Sequence, residues 1–423
     1  MLQRPYIGNL GFGGFMKQSM PWSMVRDVRN IQIIFLLTIL LSHGGWASPF
    51  PDINPSDVER IFVTTDDGAT EELIHLRNPG KPLMLLEPGL GAQGLSLELP
   101  ATALRLRGDF DVFIGNWRGS TKLPENMNPF GPRNGLTEVM RLDLPAHLRY
   151  ILNHYATEEQ RTKGITFLGN SMGGMMIMGM LSDPSLYAEF RPLLRSIVLF
   201  QSPHHVRYVQ YHLKLAARLG LPLLKSLKAV GVTSINTHSR LLEATFESKN
   251  SNGIQGRLLT PAAENIVLAL TRLVMNPSYT GRKDFRRFFF KTGAYSVPID
   301  LIEDFANAVI NQGHFNDASG NALIKPQNII DIPIQVVRTR LDTLAPWLEQ
   351  AEYFAKLKTN AKQLVDVQHL SHADTVMVRD EPFEYFDHVL NFVANPHEEA
   401  SQRQHIIASK PCASLLERFR NRF

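Results

Sequence analysis

The 423-residue chain holds a single cysteine, Cys412. One thiol cannot close an intramolecular disulfide, so the fold stands without any, and a zinc-thiolate cluster is excluded. Asn-x-Ser/Thr acceptors in which x is not proline are absent, which favours a bacterial exported protein over one that passes through the endoplasmic reticulum. There is no low-complexity run and no internal repeat, which excludes solenoids and fibrous arrays. A run of bilayer-spanning length is missing too. The apolar stretch Ile31–Leu41 covers 11 residues, against about 20 for a transmembrane helix. Nor is there a large charge of one sign. The formal charge is +4, and Arg4, Lys17, Arg26, Arg29 and Asp27 precede residue 48, which leaves 40 basic against 39 acidic side chains beyond it. A balance of +1 gives no footing for nucleic acid as a partner.

The short apolar stretch carries its own message. Arg26 and Arg29 precede it, and Gly45-Trp46-Ala47 offers small residues at the −3 and −1 positions of a cleavage site. This is the pattern of a secretory signal. Residues 1–47 are therefore expected to direct export to the periplasm or medium, with Met16, Met20 or Met24 as alternative starts. An uncleaved anchor or a buried helix is the competing reading.

Past the signal, apolar strand-like runs alternate with helical spacing. Strands are expected at Arg60–Thr65, Glu72–Leu76, Pro82–Leu86, Phe110–Asn116, Ile165–Leu168 and Ser196–Phe200. Helical spacing covers Leu95–Leu106, Thr137–Tyr155 (with Pro145 forcing a kink or a late start) and Met172–Leu181. Such alternation argues for an α/β fold with a mostly parallel central sheet flanked by helices. From His204 to about Ile324 strand signals thin out, and helices are expected at Val209–Ala229, Pro261–Val274 and Pro298–Asn311. Strand Ile332–Val337, helix Leu348–Leu357, strand Gln363–Val367 and helix Pro382–Phe392 then resume the alternation. The organisation read from this is signal 1–47, core 48–205, helical cap or lid insertion 206–325, core 326–395 and tail 396–423. The basic, amphipathic end Leu415–Phe423 reads as a surface helix or frayed terminus, with peripheral membrane contact as a minor option.

Within this frame one stretch carries chemistry. Ile165-Thr166-Phe167-Leu168 runs into Gly169-Asn170-Ser171-Met172-Gly173 and a methionine-rich helix. G-x-S-x-G between a strand and a helix is the nucleophile-elbow pattern. The glycines at 169 and 173 free space around a strained turn, and the helix N-terminus faces the developing oxyanion. A serine hydroxyl needs a base, and the base needs an orienting acid. Downstream, Asp342 follows a strand end and His372 follows the last strand. They are the expected acid and base, with Asp374 and His369 as rivals. The oxyanion needs two fixed N–H donors. Met172 supplies one by position, and the glycine-bearing turn Glu87-Pro88-Gly89-Leu90-Gly91 supplies the other, with Leu90 N–H the expected donor.

On these motifs the chain resembles the α/β-hydrolase superfamily of serine esterases and lipases. Gly115-Asn116-Trp117-Arg118-Gly119 and Leu142-Asp143-Leu144-Pro145-Ala146 look like segments of acid-lipase-type members. Ile332-Pro333 through Asp342-Thr343-Leu344-Ala345-Pro346 resembles polyhydroxyalkanoate synthases and their relatives. The likeness covers about 60–205 and 330–395. It departs at Pro88-Gly89, where the family usually has His-Gly, and at Ser171, where the synthases carry cysteine; a serine favours hydrolysis. The resemblance implies cleavage of carboxylic esters with lipid-like or apolar acyl groups, without metal or organic cofactor. Two alternatives stand beside it: acyl transfer or polyester synthesis through the same acyl-enzyme, and a binding protein without catalysis. The remaining notable residues have plainer readings. Met175, Met176, Met178 and Met180 fill core, Arg118 braces a loop, Asp143 is structural, and His204 and His205 are loop histidines that could border the site.

Overall fold

A computed structural model describes residues 50–209, 211–236, 292–311, 313–377, 384–399 and 404–407. The expected signal 1–47, the expected helix 261–274 and the basic 415–423 end lie outside them.

Among the described residues there are eleven strands: β1 (Val58–Thr64), β2 (Thr70–Leu76), β3 (Leu83–Glu87), β4 (Asp111–Ile114), β5 (Ile165–Asn170), β6 (Leu194–Phe200), β7 (Ser234–Asn236), β8 (Ser296–Pro298), β9 (Ile334–Thr339), β10 (Lys362–Val367) and β11 (Gln404–Ile407). Nine make one sheet in the order β1-β2-β4-β3-β5-β6-β9-β10-β11. The β1–β2 hairpin pairs antiparallel, with Val58 opposite Leu76, and β2 pairs antiparallel with β4. From β4 onward every pairing is parallel. All the parallel strands therefore end at one edge, where the loops of such sheets build their sites.

The central strands read as unbroken apolar runs because both faces are covered. Along β5, Phe167 joins the core on one face with Phe113, Met175 and Met176. Its neighbour Leu168 joins the core on the other face with Leu86, Val198 and Val337. The helix Met172–Met180 is buried all round, so its methionines fill core as expected. Thr137–Tyr155 shows the break that Pro145 demands. A helical turn at Leu136–Glu138 leads into a π-helical turn at Val139–Asp143 and then the α-helix Leu144–His154. Proline has no N–H for the i−4 carbonyl, and the wider turn, in which Leu144 N–H reaches Val139 O, absorbs the missing bond.

Between β6 and β9 the described residues add nothing to the main sheet. The helices Tyr211–Ala229 and Ile299–Ile310 pack on each other, beside the small β7–β8 ribbon. Within the stretch read as a tail, Gln404–Ile407 forms edge strand β11, parallel to β10 with Leu364 opposite Gln404. Its signal was weak because one short Gln-His-Ile-Ile run lacks the length and the apolar continuity that mark the other strands.

Candidate active site

Strands β3, β5, β9 and β10 deliver the site from the same edge of the sheet. Ser171 follows β5 directly and has φ 53° and ψ −117°. This is a sparsely populated conformation for a residue with a Cβ, costing on the order of 1–3 kcal/mol. The surroundings impose it. Ser171 N–H donates to Phe200 O on β6 at 2.7 Å, and Ser171 O accepts from Met175 N–H in the following helix at 3.2 Å. A Cβ at Gly169 would stand 2.3 Å from Gly174 N, and one at Gly173 would stand 2.1 Å from Glu87 O. Both are backbone collisions, so the sharp turn exists only with glycine on each side.

Asp342 and His372, on the loops after β9 and β10, meet this serine. His372 Nε2 lies 2.9 Å from Ser171 Oγ, and His372 Nδ1 lies 2.8 Å from Asp342 Oδ2. The other carboxylate oxygen of Asp342 accepts N–H groups from Leu344 at 2.9 Å and Ala345 at 2.8 Å. With Oδ1 fixed by two donors, Oδ2 has one orientation, and the imidazole is held with Nδ1 inward and Nε2 toward the serine. The rivals are placed differently. Asp374 is fully buried and accepts from Ser371 N–H at 2.7 Å, which closes the turn that carries His372. His369 is half-buried earlier on that loop.

The turn after β3 lies against the serine: a Cβ at Gly89 would touch Ser171 Cβ at 3.1 Å. Met172 is buried, Leu90 is 36% exposed, and Gly91 adopts φ 76°. The segment Gly115–Gly119 after β4 holds this turn in place. Gly115 leaves room for the Glu87 carboxylate, since a Cβ there would meet its oxygen at 2.0 Å. Asn116 Oδ1 accepts Gly94 N–H at 2.6 Å. Trp117, almost fully buried, donates its indole N–H to Gly89 O at 3.2 Å. Arg118 is fully buried between Asp143 and Asp67 and so braces the loop as expected. In a planar trans peptide the N–H points away from the C=O. The Trp117 bond to Gly89 O therefore turns Leu90 N–H to the side opposite the indole.

Behind the turn lies a cluster that sequence reasoning missed. His147, on the helix after the π turn, contacts Glu87 through Nδ1 at 2.8 Å and Glu71 through Nε2 at 2.9 Å, and all three are fully buried. Burial alone would discharge the imidazole, but Glu87 and Glu71 outweigh it and push His147 up to about 10. Burial raises Glu71 well above the ordinary carboxylate range, with the Asp143 charge adding to it, and burial likewise raises Glu87. The available signal was three ionisable residues at positions that otherwise read as core. Gln201 was also missed. Its Oε1 accepts from Asn170 Nδ2 at 3.3 Å and Thr375 Oγ1 at 2.8 Å, which ties the elbow to the His372 loop.

No family model and no curated protein matches the sequence. Solved structures do match in shape. DcsB, solved in complex with its substrate analogue, superposes with a TM-score of 0.50 at 16% identity, over 80% of this chain and 99% of that one. A hydrolase from Pseudomonas aeruginosa gives 0.49 at 15% identity, over 80% and 99%. A thermophilic esterase from Thermogutta terrifontis gives 0.45 at 15% identity, over 81% and 99%. With a parallel sheet entered through an antiparallel hairpin, a strand-to-helix elbow after β5 and the likeness in shape to DcsB, the chain has the α/β-hydrolase fold.

Proposed function

We propose that the protein is a serine hydrolase that cleaves carboxylic esters through an acyl-enzyme. The observation that carries this reading is the continuous chain of hydrogen bonds from Ser171 Oγ through His372 to Asp342, built on a strained elbow. Ser171 Oγ attacks the ester carbonyl carbon while its proton passes to His372 Nε2. The carbonyl π electrons move to oxygen, and the N–H groups of Met172 and Leu90 stabilise the anion. The tetrahedral intermediate collapses. Its bond to the alcohol oxygen breaks, and that oxygen takes the proton from His372. Water then repeats the sequence on the acyl-serine, giving its proton to His372, and the acid leaves as Ser171 Oγ is reprotonated. Asp342 keeps Nδ1 protonated throughout and stabilises the imidazolium.

Export belongs to the same proposal, supported by the Arg26/Arg29, Ile31–Leu41 and Ala47 pattern. The test is turnover of p-nitrophenyl esters from acetate to palmitate by the full chain and by Ser171→Ala. Turnover lost in the folded variant supports the reading, and the acyl-length profile reports the substrate class. Inactivity of the folded parent on every ester overturns it, and product analysis with alcohol acceptors then tests acyl transfer.

A further inference from the structure

His204 and His205 follow β6, next to Gln201 but outside the Ser171–His372–Asp342 chain. Both are buried, 7% and 1% exposed. Across from them the helix Trp347–Lys356 presents Glu349, Glu352 and Lys356. One ligand-type atom from each of His204, His205 and Glu352 lies within 4.8 Å of the others. His205 Nε2 is 3.1 Å from Glu352 Oε2, and its Nδ1 is 3.4 Å from Glu349 Oε1. Glu349 is fully buried, and Tyr208 N–H fixes its Oε1 at 2.7 Å. Among the described residues, His204 Nδ1 and Glu349 Oε2 are buried with no hydrogen-bond partner. A buried polar atom gains about 1–3 kcal/mol when it is paired, so His204 Nδ1 and Glu349 Oε2 each have capacity for a further partner.

We propose that His204, His205 and Glu352 bind one divalent transition-metal ion of the Zn2+ class. Two imidazoles and one carboxylate form a donor set suited to a borderline ion and poor for Mg2+ or Ca2+, which take oxygen ligands. Three protein ligands leave a fourth tetrahedral position for water. Glu349 Oε1 lies 3.4 Å from His205 Nδ1, where Arg207 N–H also reaches at 3.5 Å, so Glu349 is placed to act as the outer carboxylate beside a metal-bound histidine. Tetrahedral ligands sit about 3.3 Å apart. Glu352, whose side chain is 34% exposed, accepts from Tyr208 Oη–H on Oε1 at 2.5 Å and leaves Oε2, 3.1 Å from His205 Nε2, as the ligand atom. The ion would staple the loop after β6 to the helix that follows the Asp342 loop. Lys356 works against it: its ammonium lies 3.4 Å from His204 Nε2 and 4.0 Å from Glu352.

The test is titration of the chelator-treated full-length protein with ZnCl2 by calorimetry, and with Co2+ by visible absorption. The expected result is one Zn2+ per chain, tetrahedral Co2+ bands, a raised Tm with Zn2+, and no heat from Mg2+ or Ca2+. Glu352→Gln and His204→Ala each weaken binding at least about tenfold. Lys356→Gln tightens it several-fold, because a nearby positive charge is removed. Glu352 lies at a partly exposed helix position, so its variant keeps the test alive should His204→Ala fail to fold. Absence of saturable Zn2+ binding overturns the proposal. So does an affinity unchanged by both ligand variants, which would put the ion on others of the 14 histidines.

Discussion

Replacing Asp342 with asparagine separates geometry from charge at the acid. The two oxygens of Asp342 have different partners: Oδ1 accepts two backbone N–H groups, and Oδ2 faces His372 Nδ1. An amide can offer an oxygen to only one side. Turning its NH2 toward Leu344 and Ala345 breaks two hydrogen bonds and leaves two donors facing donors, a cost of about 2 kcal/mol or more. Asparagine therefore presents NH2 to His372 Nδ1 and reverses the tautomer, so that Nε2 carries a hydrogen toward Ser171 and cannot take its proton. At about 2 kcal/mol, under about one molecule in thirty retains the productive arrangement. Loss of the charge that stabilises the imidazolium adds to this, and kcat/KM for a p-nitrophenyl ester falls about 1,000- to 10,000-fold. Circular dichroism and Tm confirm that the variant is folded. A folded Asp342→Asn protein that keeps more than about a tenth of the parent activity refutes the assignment of Asp342 and moves attention to Asp374.

Three further outcomes follow from the same geometry. Trp117→Phe removes the N–H that holds Gly89 O, so the 89–90 peptide loses its fixed plane; kcat falls about tenfold or more while KM moves less than about threefold, and an unchanged kcat in the folded variant contradicts the role given to Leu90 N–H. Gly173→Ala drives a Cβ to 2.1 Å from Glu87 O, and urea unfolding should show about 1–3 kcal/mol of lost stability; an unaltered midpoint would mean that the elbow relaxes more freely than the backbone contact allows. His147, at about 10 in the fold against 6.5 ordinarily, holds more proton when folded than when unfolded, so its contribution is complete below about pH 6.5 and is lost as pH rises through about 10; the decline in unfolding free energy over that window should be steeper for the parent than for His147→Gln, and equal slopes would refute it.

What could be read ahead of the fold was whatever has a local signature. The elbow was legible because glycine spacing, an apolar strand and a helix coincide within sixteen residues, Ile165–Met180. Asp342 and His372 were legible because each follows a strand end, although their rivals lay close by and only three-dimensional pairing separated them. The parallel sheet was legible from continuous apolar runs. The supporting shell was not. Trp117 acts on Gly89 and Gln201 on Asn170 and Thr375 through contacts distant in sequence, and Trp or Gln alone carries no positional code. Glu71, Glu87 and His147 sit at positions whose neighbours are core, and single buried charges read as exceptions until they are seen together. Strand β11 was missed for a related reason, since an edge strand added late to a sheet is specified by the register of its partner β10.

The central claim is that Ser171 is the nucleophile of a working acyl-transfer site. Incubation of the folded full-length protein with a fluorophosphonate probe, followed by peptide mass spectrometry, tests it most directly. The account predicts one probe per chain on Ser171, abolished in Ser171→Ala and strongly slowed in Asp342→Asn. A folded protein that takes up no probe, or takes it up equally well without Ser171, contradicts the account.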